Sequence, residues 1–234
     1  MLTRRLFCGC LPLAATIVAS NAFAAAPDCA VFTPERRNAV SPAEAIERLK
    51  AGNQRFVSGA TINCDLMAQV KETAHAQAPF AAILGCIDSR VPPELVFDQR
   101  IGDVFCARIA GNFVDTDILG SFEFATKVAG ARAIVVLGHS SCGAIKGAVD
   151  DVKLGNLTAM LANIRPAADA VKTDAERTSA NHDFVQAVAE ENVRRAVAQL
   201  TERSEVLAAL VEAGELRIAG AMHDLATGKV TFLA

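Results

Sequence analysis

The sequence predicts an α/β fold built on a mostly parallel sheet, and three observations carry that prediction. Short apolar runs bounded by turn signals recur at 80–87, 103–110, 132–138 and 216–222, and a last short run, "KVTFL", follows Thr227-Gly228. Segments with helical apolar spacing lie between these runs. The strict alternation of the two is the pattern of parallel strands joined by helical crossovers.

Taken in order, residues 1–24, "MLTRRLFCGCLPLAATIVASNAFA", stand apart from that fold. They have a basic start, an apolar stretch from Leu6 to Val18 too short to span a bilayer, and a small-x-small end at Ala22-Phe23-Ala24. This is the composition of a cleaved export signal. The stretch Thr3-Arg4-Arg5-Leu6-Phe7 resembles a twin-arginine signal, which carries folded proteins and implies a periplasmic destination. Residues 25–40 read as a flexible lead-in, and 41–234 as a single domain, a length that one core can fill.

Ser41-Pro42-Ala43-Glu44 is a capping box with proline at the first helical position, and Ile46, Leu49 and Phe56 continue the helix until Gly59. "TDILGSFEFATKVAG" reads as a second helix. The polar, Ala-rich region 150–182 reads as a helix plus a loop. In "HDFVQAVAEENVRRAVAQLTER", residues Phe184, Val185, Val188, Val193, Val197 and Leu200 fall on one helical face.

Composition narrows the partner. The net charge is −3 and the basic residues are scattered, so there is no electrostatic footprint for nucleic acid or anionic lipid, and no second apolar run is long enough to hold the mature chain in a membrane. A small-molecule partner is expected. The chain has no Trp and no Tyr, so its 12 Phe carry all aromatic packing and no phenol is available for catalysis. Of seven Cys, Cys8 and Cys10 leave with the signal, and the odd number remaining excludes a complete disulfide framework. Cys29 and Cys64, in polar surroundings, could pair. Cys106, in "DVFCARIA", reads as a small core residue.

Functional groups in parallel sheets collect at the carboxyl ends of strands. The run "AAILGCIDSRVPPELV" ends in Cys86, Asp88 and Arg90 at alternate positions, and "VVLGHSSCGAIKG" supplies His139 and Cys142. His139 and Cys142 on one tight loop, completed by Cys86 from a neighbouring strand end, make a set for one ion. Two thiolates and an imidazole suit zinc, whereas magnesium or calcium would need several oxygens. Three protein ligands leave the fourth tetrahedral position open, as in catalytic sites. Two competing motifs fail: in "GHSSCGAIKG" the glycine of a phosphate loop is followed by Ala144 in place of lysine, and "CIDSR" lacks the glycines of a phosphate cradle.

The strings "CIDSRVPPELVF", "RIAGN" and "GHSSCGAIKGA" resemble the β-class carbonic anhydrases, with their Cys-x-Asp-x-Arg and His-x-x-Cys pairs, and the likeness extends through "EENVRRAV" to "GAMHDLATGKVTFL". It spans nearly all of the chain from about Ser41. The resemblance implies four parallel strands plus an edge strand flanked by helices. It also implies one zinc per chain, held by Cys86, His139 and Cys142, and reversible hydration of CO2 to bicarbonate by zinc-bound hydroxide. Asp88 would accept a hydrogen bond from that hydroxide while Arg90 holds the carboxylate ionised and off the metal. Substrate contacts carried over are Gln77, Phe105, Ala110 and Phe124, with Phe124 standing where some members have Tyr. The absence of Trp favours the permanently open form over one in which the aspartate closes on zinc. His223 and His75 are candidate proton shuttles. The family's smallest unit is a dimer, with the N-terminal helix across the partner, so a homodimer or dimer of dimers is expected. Two other readings share the ligands: a carbon disulfide or carbonyl sulfide hydrolase, and a non-catalytic zinc or redox sensor, which leaves Asp88 and Arg90 unexplained.

Overall fold

All five apolar runs become strands, and they assemble into one sheet. In the computed structural model, which describes residues 29–233, the strands are β1 (Ala81–Gly85), β2 (Val104–Arg108), β3 (Ala133–His139), β4 (Arg217–His223) and β5 (Val230–Phe232). Their order is β2-β1-β3-β4-β5; the first four are parallel and β5 runs antiparallel to β4 at the edge. The export signal expected over 1–24 lies outside the described residues. The central strands β1 and β3 are buried along their whole length, which is why their sequences are continuous apolar runs rather than alternating ones.

The helices are α1 (Pro34–Asn38), α2 (Pro42–Ser58), α3 (Leu66–Thr73), α4 (Pro93–Val96), α5 (Thr116–Glu123), α6 (Gly143–Val149), α7 (Gly155–Leu161), α8 (Arg165–Ala170), α9 (His182–Glu202) and α10 (Glu205–Glu212). They form two layers. Ala82, Leu84, Ile134 and Val136 face a cluster built with α5 to α10, while Ala81, Ile83, Ala133 and Val135 face one built with α2 and α4. On α9, Val185, Val188, Val193 and Leu200 are buried, each worth roughly 1.5–3 kcal/mol relative to exposure. The approach of α9 is close: a Cβ on Gly138 would stand 2.6 Å from Val193 Cγ2, and one on Gly220 2.7 Å from Val193 Cγ1.

Several local expectations are modified. Ser41 Oγ accepts the Glu44 N–H at 3.1 Å as the capping box requires, but the Glu44 carboxylate turns forward to Arg48 at 2.8 Å. Helix α2 buries Ala45, Ile46 and Leu49 against this chain's own sheet. The helix after Asp115 stops at Glu123 and gives way to a π-helical turn over Phe124–Val128, closed by the Ala129 N–H on the Phe124 carbonyl at 2.9 Å. Region 150–182 holds two helices, α7 and α8, where one was expected. Helices α3 and α10 were not anticipated, although their caps stand in the sequence: Asp65 Oδ1 accepts from Met67 and Ala68, and Ser204 Oγ from Leu207.

Residues 29–40, within the stretch expected to be a flexible lead-in, are tied down. Cys29 is disulfide-bonded to Cys64, with Cα atoms 5.7 Å apart, and the buried Phe32 ring lies 5.1 Å from that of Phe80. A covalent tie and a desolvated ring outweigh what the polarity of the segment indicates. Among the described residues, no helix is long and apolar enough to cross a membrane.

Candidate metal centre

Parallel pairing puts the carboxyl ends of β1 and β3 side by side, and each runs directly into a ligand-bearing turn. Cys86 follows β1. His139 closes β3, and the chain then turns through Ser141 at φ +53° to place Cys142 at the start of α6. The three ligand atoms lie within 4.8 Å of one another, with the two sulfurs 4.0 Å apart, and all three residues are buried. A tetrahedral zinc with two sulfurs at about 2.3 Å would separate them by about 3.8 Å.

The imidazole is oriented for the same task. His139 Nδ1 is 2.9 Å from the Ser140 carbonyl, which can only accept, so the proton sits on Nδ1. Nε2 is then a lone-pair donor, and it is buried without a protein partner. An orphaned nitrogen beside two converging sulfurs fits a soft or borderline divalent ion. The sulfurs act as a unit. Cys86 is pulled down by the hydrogen bond from Cys142 and, against the opposing effect of burial, by the Gly111 N–H. Cys142 is pushed up in step, because it shares its proton with Cys86 and is buried. A cation is what lets the second proton leave.

Asp88 and Arg90 close the open side. Asp88 Oδ2 stands 3.9 Å from His139 Nε2, and the carboxylate is held by Arg90 through Nε at 2.9 Å, Nη2 at 2.8 Å and the backbone N–H at 3.0 Å. That guanidinium keeps Asp88 well below the usual carboxylate range, against a smaller opposing effect of burial. A residue that sequence reasoning passed over supports the turn: Arg108, at the end of β2, donates to the Cys86 carbonyl at 2.8 Å and the Asp88 carbonyl at 2.7 Å. Its signal was present as the first residue of "RIAGN".

The expected substrate contacts divide. Ala110 adjoins Gly111, whose N–H reaches Cys86 Sγ at 3.3 Å, so it borders the cluster. Gln77 is exposed and stands before the amino end of β1, with about 17 Å of strand between that end and Cys86. Phe105 pairs in register with Ala82, in the amino half of β1, and its ring makes an edge contact with Phe124 at 6.2 Å. These two rings line a groove of about 710 Å³ beside β2 and α5. One chain therefore does not bring Gln77 to its own metal residues. His75 is exposed, whereas His223 is buried opposite His139 in the β3–β4 register, its pKa pushed down by burial and by His139. Cys106 is half-buried on β2, and burial, with Glu94 beside it, pushes its thiol well above the ordinary range.

Comparison with known proteins agrees with this geometry. A family model described as carbonic anhydrase matches residues 81–230. A carbonic anhydrase of Mycolicibacterium smegmatis is 36% identical over 81% of this chain and 92% of its own length. Carbonic anhydrase 2 of Mycobacterium tuberculosis is 35% identical over 81% and 91%. Among solved structures, a tetrameric β-carbonic anhydrase of Sordaria macrospora aligns with a TM-score of 0.61 at 26% identity, over 72% of this chain and 90% of its own. The Coccomyxa β-carbonic anhydrase shares the fold, with a TM-score of 0.64 at 24% identity over 82% of each chain. By family match, shared length and sheet architecture, the chain belongs to the carbonic anhydrases, in their β class.

Proposed function

We propose that this protein interconverts CO2 and bicarbonate at the strand-end cluster, with one zinc held by Cys86, His139 and Cys142 and with Asp88 and Arg90 organising the chemistry. The observation that carries the reading is the convergence of three buried ligand atoms within 4.8 Å, with an ionised carboxylate oxygen 3.9 Å from the histidine nitrogen. Held by Cys86, His139 and Cys142, zinc would lower the pKa of water toward about 7 and so supply a nucleophile near neutral pH. With zinc in place, Asp88 would be the acceptor that orients the nucleophile toward the carbon of CO2. Arg90 occupies both carboxylate oxygens, which keeps Asp88 ionised and prevents it from turning inward. Arg108 holds the carbonyls on either side of Ile87, so ligand and acid keep their spacing. The intact Asp88–Arg90 pair supports the open form of the site.

The protein acts as an oligomer. Gln77, Phe105 and Phe124 lie toward the amino end of the sheet, so a second copy is needed for Gln77 to reach a metal centre. Phe124 is 51% exposed beside the unpaired edge of β2, a surface that a partner would cover. The tetrameric Sordaria relatives favour the same view. We place the mature protein in the periplasm, on the leader composition and the Cys29–Cys64 disulfide, a bond that persists in oxidising compartments.

Stopped-flow hydration of CO2 by the zinc-loaded protein, beside chelator-stripped protein, tests the reading. Activity restored by one equivalent of zinc is the expected result. Zinc binding without CO2 hydration, or with hydrolysis of carbon disulfide or carbonyl sulfide in its place, would overturn it.

A further inference from the structure

Helix α9 packs against the ligand-bearing end of β3 and reaches the loop that follows β2. Val193 wedges against Gly138, the residue before His139, and its neighbour Asn192 reaches the loop after β2. Asn192 is 4% exposed, and its Nδ2 donates to the Gly111 carbonyl at 2.8 Å across 81 residues of chain. Gly111 in turn donates its own N–H to Cys86 Sγ at 3.3 Å. The loop cannot settle easily in another shape. Gly111 is at φ +78° and Asn112 at φ +40°, and a Cβ on Gly111 would meet Ile164 Cδ1 at 2.3 Å and Ala144 Cβ at 3.2 Å. Glycine takes a positive φ freely and asparagine tolerates one, so the loop holds this turn with little strain and the Asn192 bond fixes where it sits.

We infer that Asn192 is a positioning residue of the metal centre, which anchors Gly111 so that its N–H stays aimed at the Cys86 sulfur. The inference rests on the reading that Cys86 holds the metal. A thiolate that accepts an N–H bond passes less charge to its ion. This matters in a site with two thiolates, whose charges together cancel that of zinc and weaken the activation of water. The backbone N–H offsets part of that loss without placing a second cation beside the ion.

The test uses Asn192→Leu, close in size but without a donor, and Asn192→Ala in case the first does not fold. The control is Asn53→Ala, equally buried, whose side chain ties Val96, Gly228 and Val230 rather than any residue of the cluster. Cobalt-substituted protein is read by its thiolate-to-cobalt charge-transfer band, which the absence of Trp and Tyr leaves clear in the near ultraviolet. Zinc affinity is read by competition with a chromophoric chelator. The Asn192 variants are expected to shift the band to lower energy, as the sulfur passes more charge to the ion, and to weaken zinc binding roughly 10-fold, as Cys86 is no longer held in place. Asn53→Ala is expected to lower the thermal midpoint while band and affinity stay at wild-type values. Wild-type band and affinity in the Asn192 variants, whatever their stability, would overturn the inference. A wild-type protein with no thiolate-to-cobalt band would overturn the metal reading and this inference with it.

Discussion

Arg90 holds both carboxylate oxygens of Asp88, with Nε 2.9 Å from Oδ1 and Nη2 2.8 Å from Oδ2, while Oδ2 remains 3.9 Å from His139 Nε2. The carboxylate is thus near the metal residues yet spoken for by a planar, two-pronged donor. Arg90→Ala is expected to fold and retain zinc but lose roughly 10- to 100-fold in CO2 hydration, because a freed Asp88 competes for the open coordination position. Arg90→Lys should be impaired too, since it supplies charge without the fork. The double variant Asp88→Ala, Arg90→Ala should recover a water ligand, seen in the spectra of cobalt-substituted protein, without full turnover. Near-normal rates in Arg90→Ala would show that the pair does not serve the reaction.

The same pair sets a dependence on pH. The native Asp88 lies below its ordinary value of about 3.9, so its contribution to stability is fully present above about pH 4 and is lost as pH falls through the lowered native value. In chelator-stripped protein, the gap in thermal midpoint between wild type and Asp88→Asn should stay constant from pH 8 to about 5 and narrow only in stronger acid. A gap that closes between pH 7 and 5 would contradict the arrangement.

Cys142 and Cys106 make a matched comparison. Cys142→Ser should lose zinc and CO2 hydration together, since a hydroxyl replaces one of three buried ligands. Cys106→Ser should leave both largely intact, because Cys106 lies on β2 outside the cluster, its thiol kept protonated by burial and Glu94. Elemental analysis at equal folded concentration distinguishes them, and equal zinc loss would mean that a ligand has been misassigned.

The disulfide closes a loop between positions 35 residues apart, so Cys29→Ser is expected to cost about 2–4 kcal/mol of stability. Zinc content and turnover at 25 °C should be unchanged, because neither cysteine belongs to the metal cluster. Denaturant unfolding beside a zinc assay measures both, and loss of zinc on reduction alone would tie the N-terminal segment to the site.

Export predicts a mature chain that begins near Ala25, after the Ala22-Phe23-Ala24 site. The intact mass of periplasmic protein tests this. A full-length mass found only in the cytoplasm would refute it.

What the sequence by itself determined was whatever depends on neighbours along the chain. The runs at β1 and β3 declared buried parallel strands because both faces of those strands are covered, and Ser41-Pro42 declared a helix start because a cap is made within one turn. Cys86, Asp88, Arg90, His139 and Cys142 were legible as one centre because each lies at a strand end or a few residues beyond it, and parallel strands bring such ends together. Packing alone decided the rest. Spacing along the chain assigns no role to Arg108 or Asn192, whose roles appear only once β2 pairs with β1 and Val193 seats α9 against Gly138 and Gly220. Phe32 read as part of a loose leader until it met Phe80. Gln77 stood nine residues before Cys86 in sequence, yet the intervening strand carries the two apart. Local chemistry is written in spacing, whereas a hydrogen bond across 81 residues exists only once a helix and a sheet have excluded water between them.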